Sequence, residues 1–206
     1  MKTRILAIAA LLLVFATSAK AQDKKTTLTF GYSPLGSIET RIKLDDEKYK
    51  YNYKSFFNAN FGFEKQFEGA VTLSEFAYSK AAFDKYDLKG TSQWFNPNQQ
   101  EDIYAVSFTQ YIGTTINAKG AVQLPLYIGI GADYLNGGPF HNLDIAGAVR
   151  AKLKVFITGH FGIYVGAGFR YGLGMKSASE SSSSNKTSYT VYDMMWNVDG
   201  GIMIGL

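Results

Sequence analysis

The chain has 206 residues, no cysteine, 21 glycines and 15% aromatic residues. The absence of cysteine excludes a disulfide scaffold, a lipoprotein anchored through Cys and thiolate metal sites. The formal net charge of +4 lies mostly in Lys2, Arg4 and Lys20; without residues 1–21 there are 18 basic against 17 acidic residues, a balance that argues against nucleic-acid binding.

Residues Met1–Ala21 read as a signal peptide. Lys2 and Arg4 make the positive start, and Ile5–Ala16 is an apolar run too short to span a bilayer as a stable helix. Ala19-Lys20-Ala21 fits a small-x-small cleavage site, which starts the mature chain at Gln22. An uncleaved anchor is the competing reading. Residues 22–206 suit a single domain. No later run of about 18 apolar residues follows, so no transmembrane helix is expected.

The rest of the chain alternates. Eight strands are expected, each with one apolar and one polar face. The first starts near Thr27 with Leu28, Phe30 and Tyr32 on the apolar face, and the same parity continues through Ile38, Thr40, Ile42 and Leu44. Ser33-Pro34-Leu35-Gly36 is a candidate break, and Asp45–Lys48 a tight polar turn. The second strand carries Tyr49, Tyr51, Tyr53, Ser55, Phe57, Ala59, Phe61 and Phe63 on one face. A register pairing Leu44 with Tyr49, Ile42 with Tyr51 and Glu39 with Lys54 matches apolar to apolar and acid to base.

The third strand, about Gly69–Ser79, changes parity between Val71, Leu73 and Phe76, Tyr78. A bulge near Ser74 or Glu75 would reconcile them. Lys80–Asp102 reads as a long polar connection containing Trp94-Phe95-Asn96-Pro97-Asn98. The fourth strand is Ile103–Ile116, with Gln110 interrupting its apolar face. A short turn at 117–120 leads to the clearest segment, where Val122, Leu124, Leu126, Ile128, Ile130, Ala132 and Tyr134 alternate with polar residues and glycine. The sixth strand presents Leu143, Ile145, Gly147, Val149, Ala151, Leu153 and Val155. A turn near Lys154–Thr158 precedes the seventh strand, Ile157 to Met175, and the Ser-rich stretch Lys176–Ser188 is a loop. The eighth presents Tyr192, Met194, Trp196, Val198, Ile202, Ile204 and Leu206. Connections after odd strands are expected to be long and those after even strands short, the habit of outer-membrane barrels.

Two segments carry a resemblance. One is the glycine-aromatic run from Gly162 to Gly172. The other is the terminal strand Asp199-Gly200-Gly201-Ile202-Met203-Ile204-Gly205-Leu206, which fits the pattern polar, any, Gly, any, any, apolar, any, apolar. With these, the chain resembles the small eight-stranded outer-membrane barrels of the OmpX/OmpA/OmpW type, although its last residue is Leu where Phe is usual. The resemblance implies an all-β, eight-stranded, antiparallel up-and-down transmembrane barrel at 22–206, in the outer membrane of a Gram-negative bacterium. It also implies that the barrel-assembly machinery reads the C-terminal strand.

An eight-stranded interior is only wide enough for side chains. The inward-facing set is expected to be Glu39, Arg41, Lys54, Glu64, Asp133, Asp144, Arg150, Lys152, Arg170, Asp193 and Asp199, charges that neutralise one another and plug the lumen. No catalytic residue, cofactor or metal site is expected. His141 reads as a solvated loop residue, and His160 as an inward hydrogen-bond partner rather than a base. Asp45-Asp46-Glu47 reads as a solvated hairpin tip rather than a calcium loop, and Gly166-Ala167-Gly168 has no following helix to make a dinucleotide site.

Lys48, Lys50 and Lys54, alternating with Tyr49, Tyr51 and Tyr53, suit the membrane interface and lipopolysaccharide phosphates. Trp94 and Phe95 form a candidate patch for an extracellular partner. The reading is a non-enzymatic outer-membrane barrel with a structural or surface-interaction role. Its rivals are a lipid-A-modifying enzyme, a narrow channel and a soluble periplasmic ligand-binding barrel.

Overall fold

Period-two alternation over long segments becomes strand over nearly the same segments in the computed structural model, which describes residues 26–44, 47–89, 102–118, 121–137, 140–158, 160–178 and 187–206. The strands are β1 (Thr26–Leu44), β2 (Glu47–Gln66), β3 (Val71–Lys89), β4 (Ile103–Ile116), β5 (Val122–Gly137), β6 (Phe140–Phe156), β7 (Phe161–Ala178) and β8 (Thr187–Gly205). Each pairs antiparallel with its sequence neighbour, and β1 pairs with β8, so the sheet closes into an up-and-down barrel. Closure leaves no unpaired edge, which a bilayer cannot hydrate. At the seam the Leu206 N–H donates to the Thr26 carbonyl at 2.8 Å.

The wall is inverted relative to a water-soluble core. Ile128, Ile145, Val165 and Ile202 point outward and are 65%, 52%, 59% and 43% exposed. Asp133, Lys152 and Asp193 point inward and are completely buried. The apolar stretch of β7 from Phe161 to Leu173 climbs about 30 Å, at about 3.3 Å per residue and about 40° of tilt, enough to cross a hydrocarbon core. Toward the end of the barrel away from the termini, Tyr32, Phe57, Tyr78 and Tyr104 form a chain of ring contacts across β1 to β4, with centroids 5.6, 6.1 and 6.4 Å apart.

Two irregularities change which residues face in. In β1, Pro34 offers no N–H. The ladder to β2 lapses between Ser33↔Asn58 and Ser37↔Lys54, and the register to β8 slips between Tyr32 and Leu35. The Ser33 hydroxyl contacts the Leu35 carbonyl at 2.6 Å and accepts from the Leu35 N–H at 3.2 Å. In β2 the slip falls at Phe56, so Phe56 and Phe57 both point outward. Beyond these points the parity of both strands inverts. Ile38, Thr40, Ile42, Tyr51 and Tyr53 are therefore inside, not on the outer face that an unbroken alternation gives.

Three further expectations are corrected. The first hairpin pairs Leu44 with Glu47, Ile42 with Tyr49 and Glu39 with Asn52, two residues from the expected register. A shift of two keeps every side chain on its face, so alternation could not detect it. There is no bulge near Ser74 or Glu75: β3 pairs regularly with β4 from Val71 to Ala81, and Val71 and Leu73 face inward. The connections are also shorter than expected at one end. Strands run on into them, leaving 45–46 and 138–139 beside the longer 90–102 and 179–186. Those after even strands are 67–70, 117–121 and 157–160, with Gly69 and Asn117 at positive φ (76° and 58°) where a tight turn needs it.

Candidate functional site: the lumen and the outer rim

Inward positions stack in layers. Nearest the termini, Lys154 pairs with Glu64, and the Tyr127 hydroxyl donates to the same carboxylate at 2.5 Å. Above them Arg150 bridges two acids, with Nη2 2.6 Å from Asp199 and Nε 3.1 Å from Glu75. Lys152 Nζ is 3.4 Å from Glu75 and lies over the Tyr164 ring at 4.9 Å. Asn60 donates to Asp199 at 3.0 Å and accepts from the Tyr164 hydroxyl at 2.8 Å. Next comes Arg170, whose Nε donates to Asp133 at 3.2 Å and which also contacts Thr109. In the low dielectric of the interior such charges are tolerated only with partners and hydrogen bonds of this kind.

Asp144 and Asp193 stand apart. They reach toward one another over β7, where Gly172 and Gly174 leave the space a side chain would fill. A Cβ at Gly172 would lie 3.4 Å from Asp144 Cβ and 3.6 Å from Asp193 Cβ. Among the described residues no base pairs with either acid; the two carboxylates meet one another, and the Thr40 hydroxyl hydrogen-bonds Asp193. Around and above them the lumen is filled by an apolar cluster that includes Ile38, Ile42, Tyr53, Ile103, Leu135 and Met195. A small cavity of mixed lining lies lower down, bounded by Ser55, Asn58, Glu75 and Arg150 and by Ile38 and Met195.

Of the expected inward set, Glu64, Asp133, Asp144, Arg150, Lys152, Arg170, Asp193 and Asp199 are inside. Glu39, Arg41 and Lys54 are not, because the parity change in β1 and β2 turns them outward. They join a rim of ion pairs: Arg41–Glu39 at 2.6 Å, Lys50–Glu39 at 2.8 Å and Lys54–Asp84 at 2.9 Å. Lys80 lies 3.7 Å from Asp102 and 5.4 Å above the Phe56 ring.

His160 is also corrected. It lies exposed in the β6–β7 turn with Nδ1 3.3 Å from the Gly205 carbonyl, because β7 starts one residue later, at Phe161. His141 is exposed on β6, paired with Asn136, rather than in a loop. The two histidines sit at opposite ends of the barrel and share no partner. Asp45, Asp46, Trp94 and Phe95 lie outside the described residues, as do Met1–Ala21. Gly166 and Gly168 lie within β7.

Sequence reasoning missed the apolar cap and the Asp144–Asp193 approach. Pro34 was the signal for the cap. The closeness of the two acids is created by two glycines on the strand between them.

No protein-family model matches the chain, and no curated protein matches it. Solved structures do. The outer membrane protein OprG of Pseudomonas aeruginosa is 10% identical, with 90% of this chain and 97% of that one covered and a TM-score of 0.54. The outer membrane protease OmpT of Escherichia coli is 9% identical, covering 91% and 98% with a TM-score of 0.52. Neisserial surface protein A is 7% identical, covering 89% and 99% with a TM-score of 0.45. At these identities the likeness is one of fold, and the fold is that of the small bacterial outer-membrane β-barrels.

Proposed function

We propose that the chain is a non-enzymatic integral protein of the outer membrane of a Gram-negative bacterium, exported through a cleaved signal peptide at residues 1–21, with a structural or surface-interaction role. The observation that carries this reading is the inverted wall, an apolar exterior around a charged interior. A soluble ligand-binding barrel would have the reverse arrangement. Paired charges and the apolar cap fill the interior, which favours a plugged lumen over a conducting one. Arg41, Lys43, Lys50, Lys54 and Lys80 sit on the outer rim beside the aromatic chain, where lipopolysaccharide phosphates lie. The terminal strand is the segment offered to the assembly machinery, and the loop with Trp94 and Phe95 the one offered to an extracellular partner.

The test is gel mobility of the protein from isolated outer membranes, unheated against boiled, followed by planar-bilayer recording. A faster unheated band without conductance is the expected result. Recovery in the soluble periplasmic fraction, steady single-channel currents, or a peptidase or lipid-A-modifying activity that copurifies would each overturn the reading.

A further inference from the structure

Gln110 breaks the apolar outer face of β4. Phe108 and Ile112, its neighbours on that face, are exposed, whereas Thr109 and Tyr111 point into the lumen and are buried. Gln110 lies six positions from Tyr104 and six from Ile116, the two ends of the outer face of this strand. At about 3.3 Å per residue and about 40° of tilt, each end is about 15 Å away along the membrane normal, so Gln110 sits near the middle of the hydrocarbon core.

Ser74 of β3 stands directly opposite Gln110 on the same outer face, and its hydroxyl donates to Gln110 Oε1 at 2.6 Å. The Gln110 amide nitrogen has no hydrogen-bond partner among the described residues. Hydrocarbon offers it none, and water, headgroups and ester carbonyls lie at the interfaces, beyond the reach of the side chain. An amide N–H left unbonded in an apolar medium is costly. Apolar side chains gain little by leaving lipid tails for one another, so polar side chains facing lipid are what hold membrane proteins together.

We propose that the chain pairs with a second copy of itself in the membrane through β3 and β4, each Gln110 amide donating to the partner's Ser74. This goes beyond the reading above and rests on the wall facing lipid. Two copies inserted with the same end outward are related by a twofold axis along the membrane normal, which keeps every residue at its own depth. An axis passing between Ser74 and Gln110 sets the Gln110 of each copy against the Ser74 of the other. The serine oxygen gives its proton to its own Gln110 and keeps lone pairs to accept from the amide across the axis. Two bonds within the chains and two between them then close a ring, an isologous contact that is its own complement. One row toward the outer rim, Phe76 and Phe108 are also opposite one another in the β3–β4 ladder, and both are exposed. The same axis brings each Phe76 against the partner's Phe108, a pairing that aromatic rings favour.

The test labels Glu68→Cys, exposed in the turn at the foot of β3, in a chain with no native cysteine. Donor-labelled and acceptor-labelled protein are mixed in lipid vesicles at increasing lipid excess, and energy transfer between them is read. With Ser74 and Gln110 intact, transfer is expected to persist on dilution far above random encounter and to fit two chains. Gln110→Leu and Ser74→Ala should each weaken association at least tenfold, while both keep the faster unheated gel band of a folded barrel. Flotation of the vesicles checks insertion separately. An inserted, folded chain whose transfer falls to the random-encounter level overturns the pairing and leaves the membrane reading standing, whereas a chain that does not float overturns both. Transfer that survives both substitutions, or that fits three or more chains, would also overturn the proposal.

Discussion

Replacing Arg150 with Ala is the sharpest perturbation of the lumen. Its side chain is 3% exposed and bridges Asp199 at 2.6 Å and Glu75 at 3.1 Å. Without it, Glu75 keeps Lys152 at 3.4 Å as its charged partner, and Asp199 keeps only neutral ones, the Asn60 amide at 3.0 Å and the Tyr164 hydroxyl. A buried carboxylate is then uncompensated, and removing one partner of such a pair costs about 3–5 kcal/mol. Lys54 provides the control. Its ion pair with Asp84 is 2.9 Å long but its side chain is 75% exposed, so Lys54→Ala should change stability by less than about 0.5 kcal/mol. Both are measured by urea unfolding of the folded protein in lipid vesicles, followed by tryptophan fluorescence. Adding Asp199→Asn to Arg150→Met should recover much of the loss, because the orphaned charge is removed as well. A loss of under about 1 kcal/mol for Arg150→Ala would refute the reasoning, since it would mean that water solvates the network.

Other consequences follow from the same structure. Gly201→Ala would put a Cβ 1.9 Å from the Phe30 carbonyl oxygen, backbone that cannot step aside, and should lower the urea midpoint sharply; Gly147→Ala meets nothing within 4 Å and should leave it unchanged or slightly raised. Ile128→Arg, on the outer wall at 65% exposure, should cost about 2–4 kcal/mol in vesicles, the price of a cation near the bilayer midplane. Tyr127→Phe removes a 2.5 Å hydrogen bond to the Glu64 carboxylate and should cost about 1.5–3 kcal/mol in the same assay. At the rim, burial pushes the Glu39 carboxyl up, but Lys50 and Arg41 outweigh it and hold it below its ordinary value. Its contribution to stability is therefore present above the ordinary carboxylate range and lost as pH falls through the lowered value. Carbon NMR should find the Glu39 midpoint below that of a free glutamate, and Lys50→Ala should move it up.

Strand number, the outward face of β4 to β8 and most of the charged lumen were legible as alternation, because a side-chain period of two is geometry rather than propensity. What alternation does not carry is phase across a bulge. One slipped residue at Pro34 and another at Phe56 exchanged Glu39, Arg41 and Lys54 for Ile38, Ile42, Tyr51 and Tyr53 in the lumen. Hairpin register was invisible for the complementary reason, since a two-residue shift leaves every face intact. The same limit applied to Val71 and Leu73, whose apolar character suggested the outer face although they pack inside with Tyr111 and Tyr127. The meeting of Asp144 and Asp193 lay beyond any local pattern. It depends on two strands separated by a third and on the glycines of that third strand.

The central claim is that the alternating wall faces lipid. Since the chain has no native cysteine, single cysteines can be placed along β5 from Val122 to Tyr134 and spin-labelled in protein reconstituted in bilayers. Accessibility to oxygen should peak at even positions, with its maximum near Ile128, while the odd positions stay shielded from oxygen and from a water-soluble relaxant alike. Even positions open to the water-soluble relaxant along the whole strand would contradict the account and return the barrel to solution.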